Sequence, residues 1–452
     1  MGIALWALIV YLATIVIWAV VIKRGIGEAM VVAFVVLCLF GGGDFLRLLW
    51  LGFEDSLHQP VVFAAFAFVF VAHLLSATGI IGQQVDILSS LLGRLRGGPG
   101  YVATLASAGF GAMTHSAAAN AATVGSVTVP WMTRSKFKPG TAATIIAGNS
   151  GNGTVIPPSA AYLVIVGLAG VAPFIDAGKT LLCAFVMAGY TVVWRLLCVF
   201  IFVRRGDVGA VDKSTLLPLR QSWRQGWVTL VVYLGIVIPL LLTMGPGPKA
   251  LKGLFGAEQS APIVKAIDIL IWMPVLLGII GLIIGRKNLP HSTKGWVAMG
   301  REVAPKYRDL GATLVFSFAG SAVLLELGLD TQLASAITSL NAPAIIVALM
   351  VVVIIVLVGG PLGATATAAT VGGASFAVLT AAGADPSFAV AAILVAISTA
   401  DASPPGGPAI YIGSGLAGVS PGKTFVPLIV LYVLPFILFA VAIAMGFVPA
   451  PH

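Results

Sequence analysis

The sequence predicts an all-α polytopic membrane protein of two inverted structural repeats, with about ten full spans and two re-entrant helical hairpins. Three observations predict it. The 452 residues are 59% hydrophobic and only 9% charged, whereas a soluble domain carries about a quarter charged residues to cover its surface. The apolar residues fall into runs close to the roughly 20 needed to cross a bilayer as a helix. The second half of the chain also repeats short motifs of the first half, in the same order.

Full spans are expected at 4–22, 28–46, 60–80, 141–172, 180–203, 226–244, 262–284, 310–327, 388–418 and 424–447. The first run, Leu5 to Ile22, has no basic residue before it and no small-residue cleavage site after it, so it reads as a retained span rather than a removed signal peptide. Two further stretches, 101–133 and 342–383, are too long for one helix and carry polar, small-residue breaks at Met113-Thr114-His115-Ser116 and Gly359-Gly360-Pro361-Leu362-Gly363. Both read as hairpins that enter and leave on one side, since non-helical backbone at that depth is tolerated only under protein or water. Amphipathic arms are expected at 83–97 and 329–340 (stripe Leu329, Leu333, Ile337, Leu340), a charged surface helix at 291–309, and a linker between the halves at 204–224. Cys38, Cys183 and Cys198 all lie in apolar runs and read as small core residues, with no disulfide framework.

The basic residues give the orientation. With the N-terminus outside, 19 Lys and Arg fall in cytoplasmic segments, among them Lys23, Arg94, Arg134, Lys213 and Lys423, against 4 outside: Arg47, Lys179, Lys249 and Lys252. Reading either hairpin as a single crossing inverts every later segment and spoils this bias, so one hairpin opens inward and the other outward, with both termini on the outer side. The net charge of +9 therefore reflects topology rather than nucleic-acid binding.

The repeat lies at a displacement of 247 residues: Asn120-Ala-Ala-Thr-Val-Gly125 falls on Thr367-Ala-Ala-Thr-Val-Gly372, Pro139 on Pro386, and Pro157-Pro158 on Pro404-Pro405. With small gaps, Leu168-Ala-Gly-Val171 falls on Leu416-Ala-Gly-Val419 and Gly178-Lys-Thr180 on Gly422-Lys-Thr424. Inverted repeats with interrupted helices are a signature of secondary transporters, which bind substrate near the midplane where the repeats meet.

Each repeat supplies a hairpin tip and a broken span. The first tip carries Thr114, His115, Ser116 and Asn120, and its break is Asn149 to Thr154 before Pro157-Pro158. The second tip is Gly360 to Thr367, and its break is Ser398 to Ser403 before Pro404-Pro405. Proline removes an amide donor and interrupts the helix. Freed carbonyls and half-helix C-termini can then ligate a cation, while the N-terminus of the next half-helix can face an anion. A hard cation such as Na⁺ takes oxygen ligands. Candidate cation ligands are Ser116, Asn120, Asn149, Asn152, Thr365, Thr367, Ser398, Thr399 and Asp401; candidate substrate contacts are Thr114, His115, Ser150, Thr154, Ser159 and Ser403. Small polar residues can also serve only to pack helices closely, but four breaks in two matched pairs favour sites. Asp401, an intramembrane carboxylate, reads as a cation or proton site, or as a structural partner to a backbone amide. His115 reads equally as a proton or substrate group or as a bond within the hairpin turn. His73, Glu326, Lys265 and Asp268 lie nearer span ends and read as interfacial. No Walker motif, Cys/His metal cluster or catalytic triad spacing is present, so neither an enzyme nor a bound cofactor is expected.

From about residue 45 to the C-terminus these motifs resemble the large membrane subunit of the tripartite ATP-independent periplasmic (TRAP) transporters. The resemblance rests on Thr114-His115-Ser116, Asn120-Ala121-Ala122, Gly125-Ser126, the basic segment Arg134 to Pro139, Val155-Ile156-Pro157-Pro158-Ser159, Ser403-Pro404-Pro405 and Gly415-Leu416-Ala417-Gly418. His115 stands where the family has a tip glycine. Asn120 stands where many members have Asp, and is similar to the branch that uses TAXI-type binding proteins. The resemblance implies an elevator mechanism: sodium-driven symport of an organic acid such as a dicarboxylate, in a bacterial or archaeal inner membrane. It implies two partners, a small four-span membrane subunit, expected not to be fused here, and a periplasmic substrate-binding protein. On that reading, residues 101–175 and 342–420 are the two transport-domain halves, while 1–100, 176–341 and 421–452 are scaffold, arms and linker. A stand-alone ion-coupled carboxylate carrier or cation/proton antiporter of the same design is the alternative.

Overall fold

A computed structural model describes residues 2–58, 60–114, 116–206, 208, 216–243, 246–266, 269–329, 331–332, 335–336, 342–404 and 407–450. Among the described residues every regular element is helical. Among the described residues, six helices can cross a membrane by length and composition: Ile26–Leu57, Ala177–Arg204, Leu219–Thr243, Ala344–Leu362, Ala364–Ala381 and Gly422–Ala444. Two bent pairs, Val62–Ala77 with Ile80–Leu92 (65°) and Thr293–Pro305 with Leu310–Glu326 (42°), bring the number to eight. The remaining expected spans are assembled from pieces too short to cross alone, such as Ile3–Val16 and Pro386–Ala402.

Several boundaries depart from the sequence reading, each for a packing reason. The span expected to end at 46 continues to Leu57 through a kink at Gly42 (φ +56°). Gly52 keeps it close to its neighbours, because a Cβ there would lie 2.8 Å from the Phe34 ring and 3.0 Å from the Ala319 carbonyl. Arg47 pairs with Glu326 on the same seam. The segment after Thr243, expected as an outer loop, is helical over Pro246–Ala266 with a kink at Gly256. The charged surface helix and the following span are one helix, Thr293–Glu326, bent near Pro305, as an internal proline demands. The first arm forms as Ile80–Leu92. Of the second stripe, Leu329 is buried, while Leu333, Ile337 and Leu340 lie outside the described residues, as does Lys213 in the linker.

Both hairpins form. The first joins Gly98–Thr114 to Ala117–Arg134, the second helix capped by Ser116, whose hydroxyl accepts the Ala119 N–H at 3.4 Å. The second joins Ala344–Leu362 to Ala364–Ala381 across Gly363, whose φ of +77° only glycine adopts cheaply.

Both broken spans form; the first break lies just after its polar motif, at Ile156 to Ser159, and the second begins at the predicted Ser398, with α-helix resuming at Pro408 after Gly407. The first runs Pro139–Ser150, a turn Asn152–Val155, then Ala160–Gly167. Asn149, Ser150 and Asn152 to Thr154 stay helical, and the extended residues include Ile156 (φ −81°, ψ 115°), immediately before Pro157, and Ser159 (φ −65°, ψ 160°). The second runs Pro386–Ile397, a 3₁₀ turn Ala400–Ala402, then Pro408–Ala417, and its extended residues include Ser403 (φ −89°, ψ 111°), immediately before Pro404, and Gly407 (φ −64°, ψ 122°), immediately before Pro408. Steric conflict with the proline ring disfavours the α region for the preceding residue, which accounts for the extended Ile156, Ser403 and Gly407. Pro405 lies outside the described residues. The two spans cross where Gly151 meets its repeat equivalent Ser398: a Cβ on Gly151 would lie 2.2 Å from the Ser398 carbonyl oxygen. Ala177–Arg204 packs along Pro386–Ile397 and the first hairpin, and the last span packs on Pro386–Ile397 and the second hairpin.

Candidate functional site

The first tip is pressed onto the first break by backbone-to-backbone contact. A Cβ on Gly153 would lie 2.8 Å from the Ser116 carbonyl, and one on Gly111 would lie 2.8 Å from the backbone of Asn152 and Gly153. That approach gathers a buried amide cluster around one turn of the first hairpin helix. Asn149 Nδ2 donates to Thr104 Oγ1 at 2.9 Å, and Ser107 Oγ donates to the Asn149 carbonyl at 2.8 Å. Asn120 Nδ2 donates to the Ser107 carbonyl at 2.9 Å, and Asn152 Nδ2 to Ser107 Oγ at 3.4 Å. The NH₂ group of each asparagine is thereby used, whereas Oδ1 of Asn120, Asn149 and Asn152 has no partner among the described residues. All three side chains are at most 1% exposed. Buried carboxamide oxygens are costly when unpaired, and neutral oxygens are the ligand type a hard cation takes.

The second repeat answers differently. Thr367 Oγ1 donates to the Gly363 carbonyl, Ser398 Oγ to Val395 and Thr399 Oγ1 to Ala396, each at 2.7 Å. These hydroxyls spend their protons on their own helices and keep lone pairs free. The charge is Asp401, 6% exposed and without a hydrogen bond or ion pair among the described residues.

A cavity of about 510 Å³ lies between the two tips and the helices Pro60–Ala77 and Thr293–Glu326. Its wall includes Thr114, Ser116, Thr154, Thr365 and Asp401, together with His73 and Ser76. The first turns of four helices also face it, at Ala117, Ala160, Ala364 and Pro408. Helix N-termini present free N–H groups and positive potential. No Lys or Arg lines this cavity among the described residues.

The sequence-predicted residues thus separate into groups. Thr114, Ser116, Thr154, Thr365 and Asp401 share the cavity; Asn120, Asn149 and Asn152 share the amide cluster behind it. Ser150, Ser159 and Ser403 do not line the cavity. Ser150 Oγ donates to the Ala147 carbonyl at 2.6 Å, Ser159 caps the next half-helix by accepting from Tyr162 N–H at 3.1 Å, and Ser403 Oγ donates to the Thr399 carbonyl at 2.8 Å. His115 lies outside the described residues. His73, read as interfacial, is a cavity residue that also lies 3.4 Å from Glu302. Sequence reasoning missed Thr104 and Ser107, whose signal was a polar pair at helical spacing inside an apolar hairpin.

The comparisons with known proteins agree with this architecture. A family model described as "Tripartite ATP-independent periplasmic transporter, DctM component" matches residues 5–450. The chain is 25% identical over 203 residues (44% of this chain, 46% of the relative) to a putative TRAP transporter large permease protein of Haemophilus influenzae. It is 26% identical over 186 residues (40% of this chain, 42% of the relative) to the C4-dicarboxylate TRAP transporter large permease protein of Pseudomonas aeruginosa. It is 30% identical over 125 residues (25% of this chain, 29% of the relative) to the 2,3-diketo-L-gulonate TRAP transporter large permease protein of Escherichia coli. The matched part spans less than half the length of each of these relatives. Among solved structures, the fold is similar to the YdaH transporter of Alcanivorax borkumensis (TM-score 0.60, 18% identity, 90% of each chain). It is also similar to MtrF of Neisseria gonorrhoeae (TM-score 0.59, 12% identity, 91% of this chain and 85% of that one).

Proposed function

The chain belongs to the DctM component family of the tripartite ATP-independent periplasmic transporters, and from that premise we propose that it carries out sodium-coupled uptake of an organic anion across a bacterial or archaeal inner membrane. It is a multi-pass transport permease, not an enzyme. The substrate class is a carboxylate, by analogy with the dicarboxylate and diketogulonate permeases it resembles. Delivery would be by a periplasmic binding protein and assembly with a small membrane subunit.

The observation that carries the reading is the composition of the cavity wall: four helix N-termini and hydroxyls, His73, no Lys or Arg among the described residues, and the Asp401 carboxylate. N–H groups at helix starts can hold a carboxylate without a counter-charge. An organic anion and Asp401 repel one another unless a cation enters with the substrate. That requirement is the physical content of coupling: binding of one ligand raises affinity for the other, reciprocally. The unpartnered amide oxygens of Asn120, Asn149 and Asn152 supply a second, neutral place for such an ion.

The moving body would hold both hairpins and both broken spans, residues 101–175 and 342–420, with 1–100, 176–341 and 421–452 as scaffold, arms and linker. This body would slide as an elevator past Pro60–Ala77 and Thr293–Glu326, the helices across the cavity. Both termini would lie on the outer side.

The test is uptake into liposomes holding the chain with its candidate membrane partner, using labelled organic acids with and without an inward sodium gradient and the soluble binding protein. Uptake that needs both sodium and the binding protein supports the proposal. Uptake driven by sodium but indifferent to the soluble protein replaces it with a stand-alone carrier, and uptake indifferent to sodium removes the coupling.

A further inference from the structure

Arg195 lies in the middle of the apolar helix Ala177–Arg204 and is 0% exposed. A charged side chain at such a place is expensive unless something compensates it. Among the described residues the ion pairs are Arg47 with Glu326 and His73 with Glu302, so no carboxylate answers this guanidinium. Its Nε donates to the Gly148 carbonyl at 3.0 Å, its Cζ lies 4.6 Å from the centre of the Phe436 ring, and Nη1 and Nη2 have no hydrogen-bond partner among the described residues.

The surroundings show where compensation comes from. Gly148 belongs to the last turn of the half-helix Pro139–Ser150. The point where a Gly151 Cβ would sit lies 2.9 Å from Arg195 Nη2 and 2.2 Å from the carbonyl oxygen of Ser398, the C-cap of the half-helix Pro386–Ile397. The guanidinium is therefore placed at the carboxyl-terminal ends of both half-helices, where they cross. Each end carries unsatisfied carbonyls and a partial negative charge. Gly148 adjoins Asn149, Gly151 adjoins Asn152, and Ser398 adjoins Thr399, so the same group lies between the cation-ligand candidates of the two repeats.

We propose that Arg195 is a tethered internal cation that neutralises the joined negative poles of the two broken spans, so that this pole takes no mobile coupling ion and sodium is confined to the flanking sites. The proposal deepens the sodium-coupled reading and rests on it for the identity of the mobile ion. A packing role for the same side chain makes a different prediction. Loss of packing only loosens the site, whereas loss of the fixed charge leaves carbonyl-rich helix ends open to a further cation.

The experiment is equilibrium binding of radioactive sodium to the purified full chain in detergent, for wild type, Arg195→Lys, Arg195→Gln and Arg195→Met, each checked for a monodisperse elution profile. The neutral variants should bind about one more sodium ion per chain at saturation than wild type, because an uncompensated helix C-terminus attracts a cation, while Arg195→Lys keeps the wild-type number. A monodisperse neutral variant with the wild-type number and half-saturation overturns the proposal. If neither neutral variant folds but Arg195→Lys folds and keeps the wild-type number, the required feature is the charge, as proposed. If all three variants fail to fold, the guanidinium acts by packing and the proposal falls. A wild type that binds no sodium defeats the coupling reading by itself and leaves this comparison readable, since the neutral variants would then gain a site that wild type lacks.

Discussion

The two repeats build the same local shape with different chemistry. In the first, amides reach across from the break to the hairpin: Asn149 and Asn152 bond to Thr104 and Ser107, and Asn120 bonds to the Ser107 carbonyl. In the second, Thr367, Ser398 and Thr399 bond back along their own helices, and the equivalent of Thr154 is the carboxylate Asp401. One site is neutral, cross-linked and closed behind the cavity; the other is charged, locally bonded and open to it. Gene-level duplication fixes where a helix breaks, because proline acts on its immediate neighbour. It does not fix the ligand set, because a side chain is free to diverge once the backbone geometry is set. The small-residue contact shows the same divergence. Gly153 of the first break corresponds to Ala400 of the second, and against Ala400 lies Gly359, with 3.0 Å left for its missing methyl.

This asymmetry can be broken experimentally, and the largest effect is expected at the charge. Asp401→Asn should lower uptake at limiting sodium by about a hundredfold, since an intramembrane carboxylate is retained against its cost only for function. Unchanged sodium dependence in initial-rate measurements would remove Asp401 from the coupling site. Next come the amides. Asn152→Leu keeps the volume but loses the ligand, and should raise half-saturating sodium about tenfold, the scale of one lost hydrogen bond or ligand contact to a charged group. Its repeat equivalent Thr399→Val should change the same quantity by no more than about twofold, because it removes a hydroxyl with a neutral local bond. Equal shifts in both variants would erase the distinction drawn between the repeats.

Stability should separate the glycines in the same direction. Gly153→Ala meets the Ser116 backbone at 2.8 Å, whereas Gly360→Ala meets Ser403 at an ordinary 3.7 Å. Overpacking against a backbone wall costs about 1–3 kcal/mol, so thermal unfolding in detergent should fall clearly for the first change and hardly move for the second. A lower transition for Gly360→Ala than for Gly153→Ala contradicts the close-approach argument. Smallest of all, Ser150→Ala should leave substrate affinity within about twofold, as expected when a removed hydroxyl made only a local bond to its own helix. A large rise in substrate KM would restore Ser150 to the substrate contacts.

The same comparison shows how far residue order reaches. Composition and run length dictate a helical membrane chain, since only helices and closed barrels satisfy their backbone in lipid and apolar runs near 20 residues fit helices. Pro157 and Pro404, with Gly363 and the polar tip at Ser116, place the interruptions to within a few residues, because those residue types act on adjacent backbone. The matched motifs disclose the duplication, and Asp401 is legible as a lone carboxylate in an apolar run. Arg195 is legible by the same rule, as a lone charge within an apolar run. Only the tertiary structure decides which polar atoms are left without partners. That Ser150, Ser159 and Ser403 are consumed by local bonds, while three asparagine oxygens are spare, depends on which helix faces which. The convergence of four helix N-termini on one cavity, and of two C-termini on Arg195, are likewise properties of the crossing of distant segments. Hydrogen-bond partnership across more than forty residues is set by packing, and packing is a sum over the whole chain that no local motif contains.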